Sequence, residues 1–283
     1  MFERVAIIGF GFMGGSLAMA IRDVYSCRIM GIDRSHQALQ TAKKMGLLEE
    51  GSTQIEDIAS FDPQLVVLAT PVRAYYEIAP RLVHVVSPQC VITDIGSVKG
   101  RLVFFLEDVL GPRFVGGHPI AGTEKSGVEN SVRGLFKDKK VVITPTPNTS
   151  QESLRWVEQL WKGIGSHVEF MDPYLHDLIF GAVSHLPHAV AFALVKAVLR
   201  MSQEEKVDML LYAGAGFKDF TRIAASDPTM WRDIFTENKE YLLKALTVFK
   251  DSLEDLRKMI EEEKWEDLFL YLQEAREGRL RLY

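Results

Sequence analysis

The stretch Val5-Ala6-Ile7-Ile8-Gly9-Phe10-Gly11-Phe12-Met13-Gly14 decides the fold of this chain. Its first four residues are apolar and mostly β-branched, the composition of a short strand buried on both faces. The glycines follow at once and open a helical pattern, so the segment reads strand, tight turn, helix. Gly9 permits the bend, Gly11 lets the backbone approach a pyrophosphate, and Gly14 lets helix and strand pack closely. The free N–H groups at the helix start, around Phe12 and Met13, then face the phosphates. A glycine turn alone is a weak signal. Its partner here is Asp33, which ends the next predicted strand 19 positions after Gly14. A carboxylate there accepts hydrogen bonds from both ribose hydroxyls of NAD and repels the 2′-phosphate of NADP. Arg34 follows as a candidate to stack on adenine or bind a phosphate, and Thr70-Pro71, where a later strand ends, complete the expected cofactor contacts.

Working outward, apolar runs at 5–8, 28–32, 65–69, 91–94, 114–116, 141–144 and 168–170 are the strand candidates. Helical patterns at roughly 14–24, 35–45 and 74–86 lie between the early ones. That alternation predicts a doubly wound α/β sheet of Rossmann type over residues 1–171. At Asp172-Pro173 the character changes, because a capping carboxylate followed by proline opens a helix. Ser202-Gln203-Glu204-Glu205 reads as a capping box, and Asp227-Pro228 repeats the first signal. Leu242, Leu243, Leu246, Phe249, Leu253 and Leu256 recur at helical spacing and give one apolar face. Residues 172–283 are therefore expected to form an all-helical second domain packed closely on the first.

At 283 residues, with 47% hydrophobic and 25% charged, the chain has room for two cores and an ordinary globular composition. A net charge of -5 offers no basic field, so neither nucleic acid nor an acidic membrane is an expected partner. An anionic substrate has to be met by a local cluster of cations. Cys27 and Cys90 make no disulfide framework. The first strand starts by Val5, which leaves no room for a signal or transit peptide. The longest apolar stretch, 189–199, contains Lys196 and is too short to span a bilayer. A soluble, cytoplasmic protein is expected.

The cation cluster lies in residues 216–234, where Lys218, Arg222 and Arg232 alternate with aromatics and hydroxyls. Such a mixture suits an anionic, ring-shaped substrate better than a core stripe. Arg222 is the best carboxylate clamp because a guanidinium binds bidentately, and an ion pair with Asp219 is the competing reading. Trp231, Tyr212 and Phe217 read as core. Nearer the sheet, Asp94-Ile95-Gly96-Ser97-Val98-Lys99 and Gly117-His118-Pro119-Ile120-Ala121-Gly122 follow strand candidates. Ligands of open α/β sheets sit beyond the carboxyl ends of the strands, so both segments should border the nicotinamide. A neutral His118 nitrogen suits alcohol oxidation, taking the hydroxyl proton as hydride leaves, and Ser97 is placed to orient that hydroxyl or the histidine. His176, Ser184, His185 and His188 fall on one predicted helix that Pro187 should bend. His185 and His188 share a face, and the spacing leaves substrate contact, half of a metal site, and ordinary hydrogen bonding all open. No metal is predicted.

Together, the glycine loop with Asp33, segment 94–99, His118-Pro119-Ile120-Ala121-Gly122, Ser184-His185-Leu186-Pro187-His188 and segment 216–234 resemble the prephenate/arogenate dehydrogenase family of tyrosine biosynthesis. The resemblance covers residues 5–234; the glycine loop is shared by many dehydrogenases, whereas the His118 segment and the last two are specific to the family. It implies a Rossmann-type domain followed by an all-α dimerisation domain, NAD as cofactor, and oxidative decarboxylation of prephenate to 4-hydroxyphenylpyruvate. Arogenate is the sibling substrate. It further implies that His118 takes the ring hydroxyl proton with Ser97 beside it, and that Arg222 holds the ring carboxylate. His188 and Lys218, with His185 on the same face, would belong to the substrate pocket, and Glu124 would gate or tune it. A homodimer through the helical domain is implied, with residues near Lys218 reaching across it. Fused chorismate mutase and ACT domains, carried by some members, are not expected. Outside the family stand a β-hydroxyacid-type dehydrogenase, which relies on a lysine base in the helical part, and a dinucleotide-sensing regulator, which requires no pairing of His118 with Arg222.

Overall fold

In the computed structural model, which describes residues 2–282, the chain opens with β1 (Arg4–Ile8), whose last four side chains are at most 2% exposed. After the glycine turn come α1 (Phe12–Val24), β2 (Arg28–Ile32), α2 (His36–Lys44), β3 (Glu50–Ser52), α3 (Ile58–Phe61), β4 (Leu65–Leu68) and α4 (Tyr75–Leu82). Then follow β5 (Val91–Asp94), α5 (Gly100–Leu110), β6 (Phe114–Pro119), β7 (Lys140–Thr144), α6 (Gln151–Ile164) and β8 (His167–Phe170). The eight strands form one sheet in the order β3-β2-β1-β4-β5-β6-β7-β8. The order reverses between β1 and β4, the switch point at which such sheets bind ligands. Successive β1 residues feed opposite faces: Val5 and Ile7 pack with Leu17, Ile21 and Trp161, while Ala6 and Ile8 pack with Val66, Tyr75 and Leu102.

The sheet departs from the sequence reading in three places. β3 was not expected; three residues at an edge carry too little periodicity to be seen. β7 runs antiparallel to β6 and β8 parallel to β7, so the doubly wound sheet is mixed at one edge. β6 continues three residues past the expected end, and His118 pairs with Val142 and Pro119 with Val141. His118 therefore stands inside the carboxyl end of a strand instead of in the loop after it. Gly117 and Pro119 hid that extension, since neither residue type favours a strand interior.

The helical half contains α7 (Pro173–Phe180), a π turn (Gly181–His185), α8 (Leu186–Glu205), α9 (Ala215–Thr221), α10 (Pro228–Glu237), α11 (Lys239–Glu261) and α12 (Trp265–Leu280). Asp172 caps α7 by accepting from Tyr174 N and Leu175 N at 2.9 and 3.0 Å, and Asp227 caps α10 through Met230 N at 2.8 Å. Ser202 opens no helix: it lies near the end of α8, and its hydroxyl accepts from Met209 N in the turn beyond. Pro187 sits in the first turn of α8, where a missing N–H is tolerated, and the widened π turn before it absorbs the distortion.

Helix therefore runs unbroken over Pro173–Glu205, 33 residues that are long and apolar enough to cross a membrane by length and composition, although the stretch 189–199 alone was too short. Only 17% of its most apolar window is buried within the chain. The leucine stripe of α11 behaves likewise: Leu242 is buried, but Leu243, Phe249 and Leu253 are 51%, 36% and 54% exposed. These helices present apolar faces that this one chain does not cover.

Candidate active site

The glycine loop forms a cradle at the β1/β4 switch point. Gly9 has φ +102°, and a Cβ there would lie 2.7 Å from the Ala69 carbonyl and 2.8 Å from Thr70 N. A Cβ on Gly14 would lie 1.9 Å from the Gly9 carbonyl oxygen, so both positions require glycine. At Gly11 an added Cβ would meet nothing within 4 Å, and no side chain caps α1. Open space thus lies over an uncapped helix N-terminus, which fits a pyrophosphate. Asp33 accepts hydrogen bonds from Phe10 N and Ser35 N, both at 2.8 Å, which ties the carboxylate to the loop and leaves it further acceptor capacity. Arg34 is exposed just beyond it, and Thr70, whose N lies beside Gly9, is followed by an exposed Pro71. Gly122 faces Met13 across the opening, its would-be Cβ 3.8 Å from Sδ, so the His118 segment closes one side of the cradle.

Behind it runs a chain of buried polar groups that joins the two halves. His118 Nδ1 lies 2.8 Å from His176 Nε2, and His176 Nδ1 lies 2.8 Å from Asp177 Oδ1. Asp177 Oδ1 also accepts from Lys99 N at 2.8 Å, and the Lys99 ammonium is ion-paired with Asp94. Asp94 accepts in turn from Gly96 N and Gly117 N at 2.9 and 3.0 Å. Removing either member of such a buried pair typically costs about 3–5 kcal/mol. An ionised Asp177 only accepts, which fixes the polarity: His176 donates from Nδ1, His118 donates from Nδ1 to His176, and His118 Nε2 keeps its lone pair.

Burial drives the ionisation of this chain. It holds His118 well below the ordinary histidine range, helped by the neighbouring His176, Lys99 and His185. It lowers His176 to about 2 and lifts Asp177 to about 7, the latter opposed by the Lys99 hydrogen bond and charge.

The remaining candidates come from the helical half. His185 exposes none of its surface; its Nδ1 meets Asn238 Nδ2 at 2.8 Å and it lies against the Ser97 main chain, so it supports the site from behind instead of facing a ligand. His188 is bonded through Nδ1 to the Ser184 carbonyl at 2.9 Å and stacks on Trp231, ring centroids 3.6 Å apart. Burial, followed by the nearby Arg222, lowers its pKa. Trp231 is buried as expected, but Tyr212, expected in the core, is 82% exposed. Arg222 sits where helix breaks between α9 and α10, and it pairs at 2.5 Å with Glu124, not with Asp219. Lys218 is exposed on α9. Among the described residues, no three metal-ligating side chains are grouped to hold an ion. The structure adds Asp177 and Asn238 to the site, pairs Lys99 with Asp94 inside the segment already expected there, and gives His176 a place in it. The adjacent His176-Asp177 just inside a capped helix was the one signal available to sequence.

Residues 17–170 match the family model described as prephenate dehydrogenase, nucleotide-binding domain, and residues 172–274 match that described as prephenate dehydrogenase, dimerization domain. A solved prephenate dehydrogenase from A. aeolicus, in complex with hydroxyphenyl propionate and NAD+, superposes with a TM-score of 0.96 at 49% identity, covering 100% of this chain and 99% of that one. The prephenate dehydrogenase of Bacillus subtilis is 34% identical over 99% of this chain and 76% of its own length. The cyclohexadienyl dehydrogenase of Zymomonas mobilis is 32% identical over 100% and 97%.

Proposed function

The chain belongs to the prephenate dehydrogenase family, and from that premise we propose how its cleft oxidises and decarboxylates prephenate to 4-hydroxyphenylpyruvate. One observation carries the reading: His118 stands at the carboxyl end of β6 with Nδ1 engaged by His176, and its free Nε2 belongs to the segment that closes the glycine cradle. Gly9, Gly11, Phe12, Met13 and Gly14 hold the pyrophosphate of NAD, Asp33 and Arg34 its adenosine end, and Thr70 and Pro71 the rim. Bound NAD supplies the hydride acceptor. His118 Nε2 takes the proton of the ring hydroxyl as the carbinol carbon is oxidised, with Ser97 orienting that hydroxyl. Loss of the ring carboxylate as CO2 then makes the ring aromatic and leaves a phenolate, to which the same proton returns. The reaction therefore releases no net proton.

Arg222 holds the ring carboxylate by exchanging its Glu124 partner for the substrate, a swap made easy because both side chains reach solvent. His188 and Lys218 line the pocket, and His185 fixes Ser97 from behind. The uncovered faces of α8, α11 and α12 pair two copies of the chain through the helical half, a reading the dimerization-domain match supports. As a soluble biosynthetic enzyme the protein works in the cytoplasm.

Absorbance of NADH on mixing protein with NAD and prephenate tests the reaction. Turnover is expected with NAD and prephenate and should be weaker with NADP. Turnover with arogenate alone would move the substrate, and silence with both would overturn the reading. Arg222→Ala is expected to raise KM for prephenate by about tenfold to a hundredfold with kcat little changed. An unchanged KM would reduce Arg222 to a partner of Glu124.

A further inference from the structure

We propose that Asp177, reached through His176, stores the substrate's hydroxyl proton while the ring is oxidised and returns it to the phenolate. The inference rests on the prephenate reading and assigns to that same site two residues outside the substrate pocket. On the outward leg the substrate O–H bond breaks and His118 Nε2 gains the proton. His118 Nδ1 passes its own proton to His176 Nε2, and His176 Nδ1 passes its own to Asp177 Oδ1. Each ring ends neutral with its proton on the other nitrogen, and the carboxylate becomes a neutral acid. After CO2 leaves, the phenolate oxygen takes the proton from His118 Nε2, each shift reverses, and both rings recover their starting tautomers. Charge and atoms balance with no outside donor.

The geometry suits a conduit. Three groups follow one another at 2.8 Å per link, and Phe180 packs against both rings at centroid distances of 4.9 and 4.4 Å, excluding water from between them. A base that kept the proton itself would become an imidazolium in a dry site beside Lys99, which both burial and charge oppose; a neutral carboxylic acid suffers neither penalty. In a Ser-His-Asp triad the aspartate orients the ring and stays ionised. Here burial raises the carboxyl to about 7 while it lowers the intervening ring to about 2, so the proton favours the far end.

Both ends of the relay retain some exposure, His118 at 9% and Asp177 at 2%. The Asp177 side chain is 4% exposed and that of His176 is fully buried. Asp177 forms part of the wall of a cleft of about 320 Å³ with Tyr174, Asn238 and Tyr241. Its Oδ2 lies where a Cβ on Gly100 would come within 2.4 Å, so glycine at that position makes room for the carboxylate. The charged and titratable groups around it are Lys99 with its partner Asp94, His185, Tyr174 and Tyr241, with Arg101, Glu237, Lys239 and Glu240 on the cleft walls. Bulk pH therefore sets the resting state of Asp177, and only the carboxylate form can receive.

The test is single-turnover NADH formation in wild type, Asp177→Asn and His118→Asn, read against pH and in H2O/D2O mixtures. A group with a raised pKa must be deprotonated here, so the wild-type rate is expected to fall as pH drops through about 7. Asp177→Asn should bind NAD normally, turn over about tenfold to a hundredfold more slowly, and lose that pH dependence. The wild-type proton inventory should be bowed, because several protons move together, and that of Asp177→Asn linear. A wild-type rate that holds steady until far below neutrality, an Asp177→Asn enzyme that keeps the wild-type pH profile, or a linear wild-type inventory would each overturn the store. If Asp177→Asn fails to bind NAD, the two wild-type measurements decide alone. Full activity in His118→Asn would instead bring down the assignment of the base, a different failure.

Discussion

His118→Asn is expected to lower turnover of prephenate by about 10²–10⁴-fold, the usual worth of a positioned general base, or roughly 2.7–5.4 kcal/mol of barrier. The effect should fall on chemistry alone. An asparagine amide can still donate to His176 where the ring Nδ1 does now, so the buried chain keeps its hydrogen bond and stability should change little. With the pyrophosphate placed at the α1 N-terminus as proposed, the Kd for NAD should stay within about twofold of wild type, a change below roughly 0.4 kcal/mol. Stopped-flow turnover and calorimetric NAD titration separate the two quantities. Retained full turnover would remove His118 from the reaction.

Gly14→Ala is expected to act in the opposite way, on cofactor binding. The new methyl carbon would lie 1.9 Å from the Gly9 carbonyl oxygen and 3.5 Å from Ala69 Cβ, and the first of these is backbone that cannot rotate aside. The loop must move away from α1, which turns its N–H groups off the phosphates. A loss of about a hundredfold in NAD affinity, close to 2.7 kcal/mol, is expected, together with about 1–3 kcal/mol of stability from the strain. Calorimetric titration and thermal melting measure both. A wild-type Kd would mean that the cradle is not where the phosphates sit.

Both positions are legible in the sequence, for different reasons. The glycine loop and Asp33 are local: strand, turn and helix follow one another, and each residue's duty comes from its neighbours in sequence. His118 was legible only by place, as a polar residue near a strand end, and the expected end fell three residues short because Gly117 and Pro119 disguised the rest of β6. The chain behind it was not legible. His118 meets His176 across 58 positions and Asp177 meets Lys99 N across 78, and no periodicity spans such gaps. Arg222 shows the same limit, since helical spacing offered Asp219 whereas folding supplied Glu124 from 98 positions away. The α11 stripe was visible but ambiguous, because one apolar face serves equally to fill a core or to meet another chain.

The two halves differ in how much they can do alone. Both large buried clusters belong to the sheet and its helices, one on each face, and they are built from nearby strand–helix units. Among the described residues, the buried cluster of the helical half has three members, Val98, Trp231 and Ile234, and the first is lent by the sheet half. The helical half is accordingly a lodger: it inherits its rigidity from a neighbour completed earlier in synthesis. Assembly has a built-in sequence, and the buried chain from His118 through His176 to Asp177, which draws on both halves, is among the last things finished.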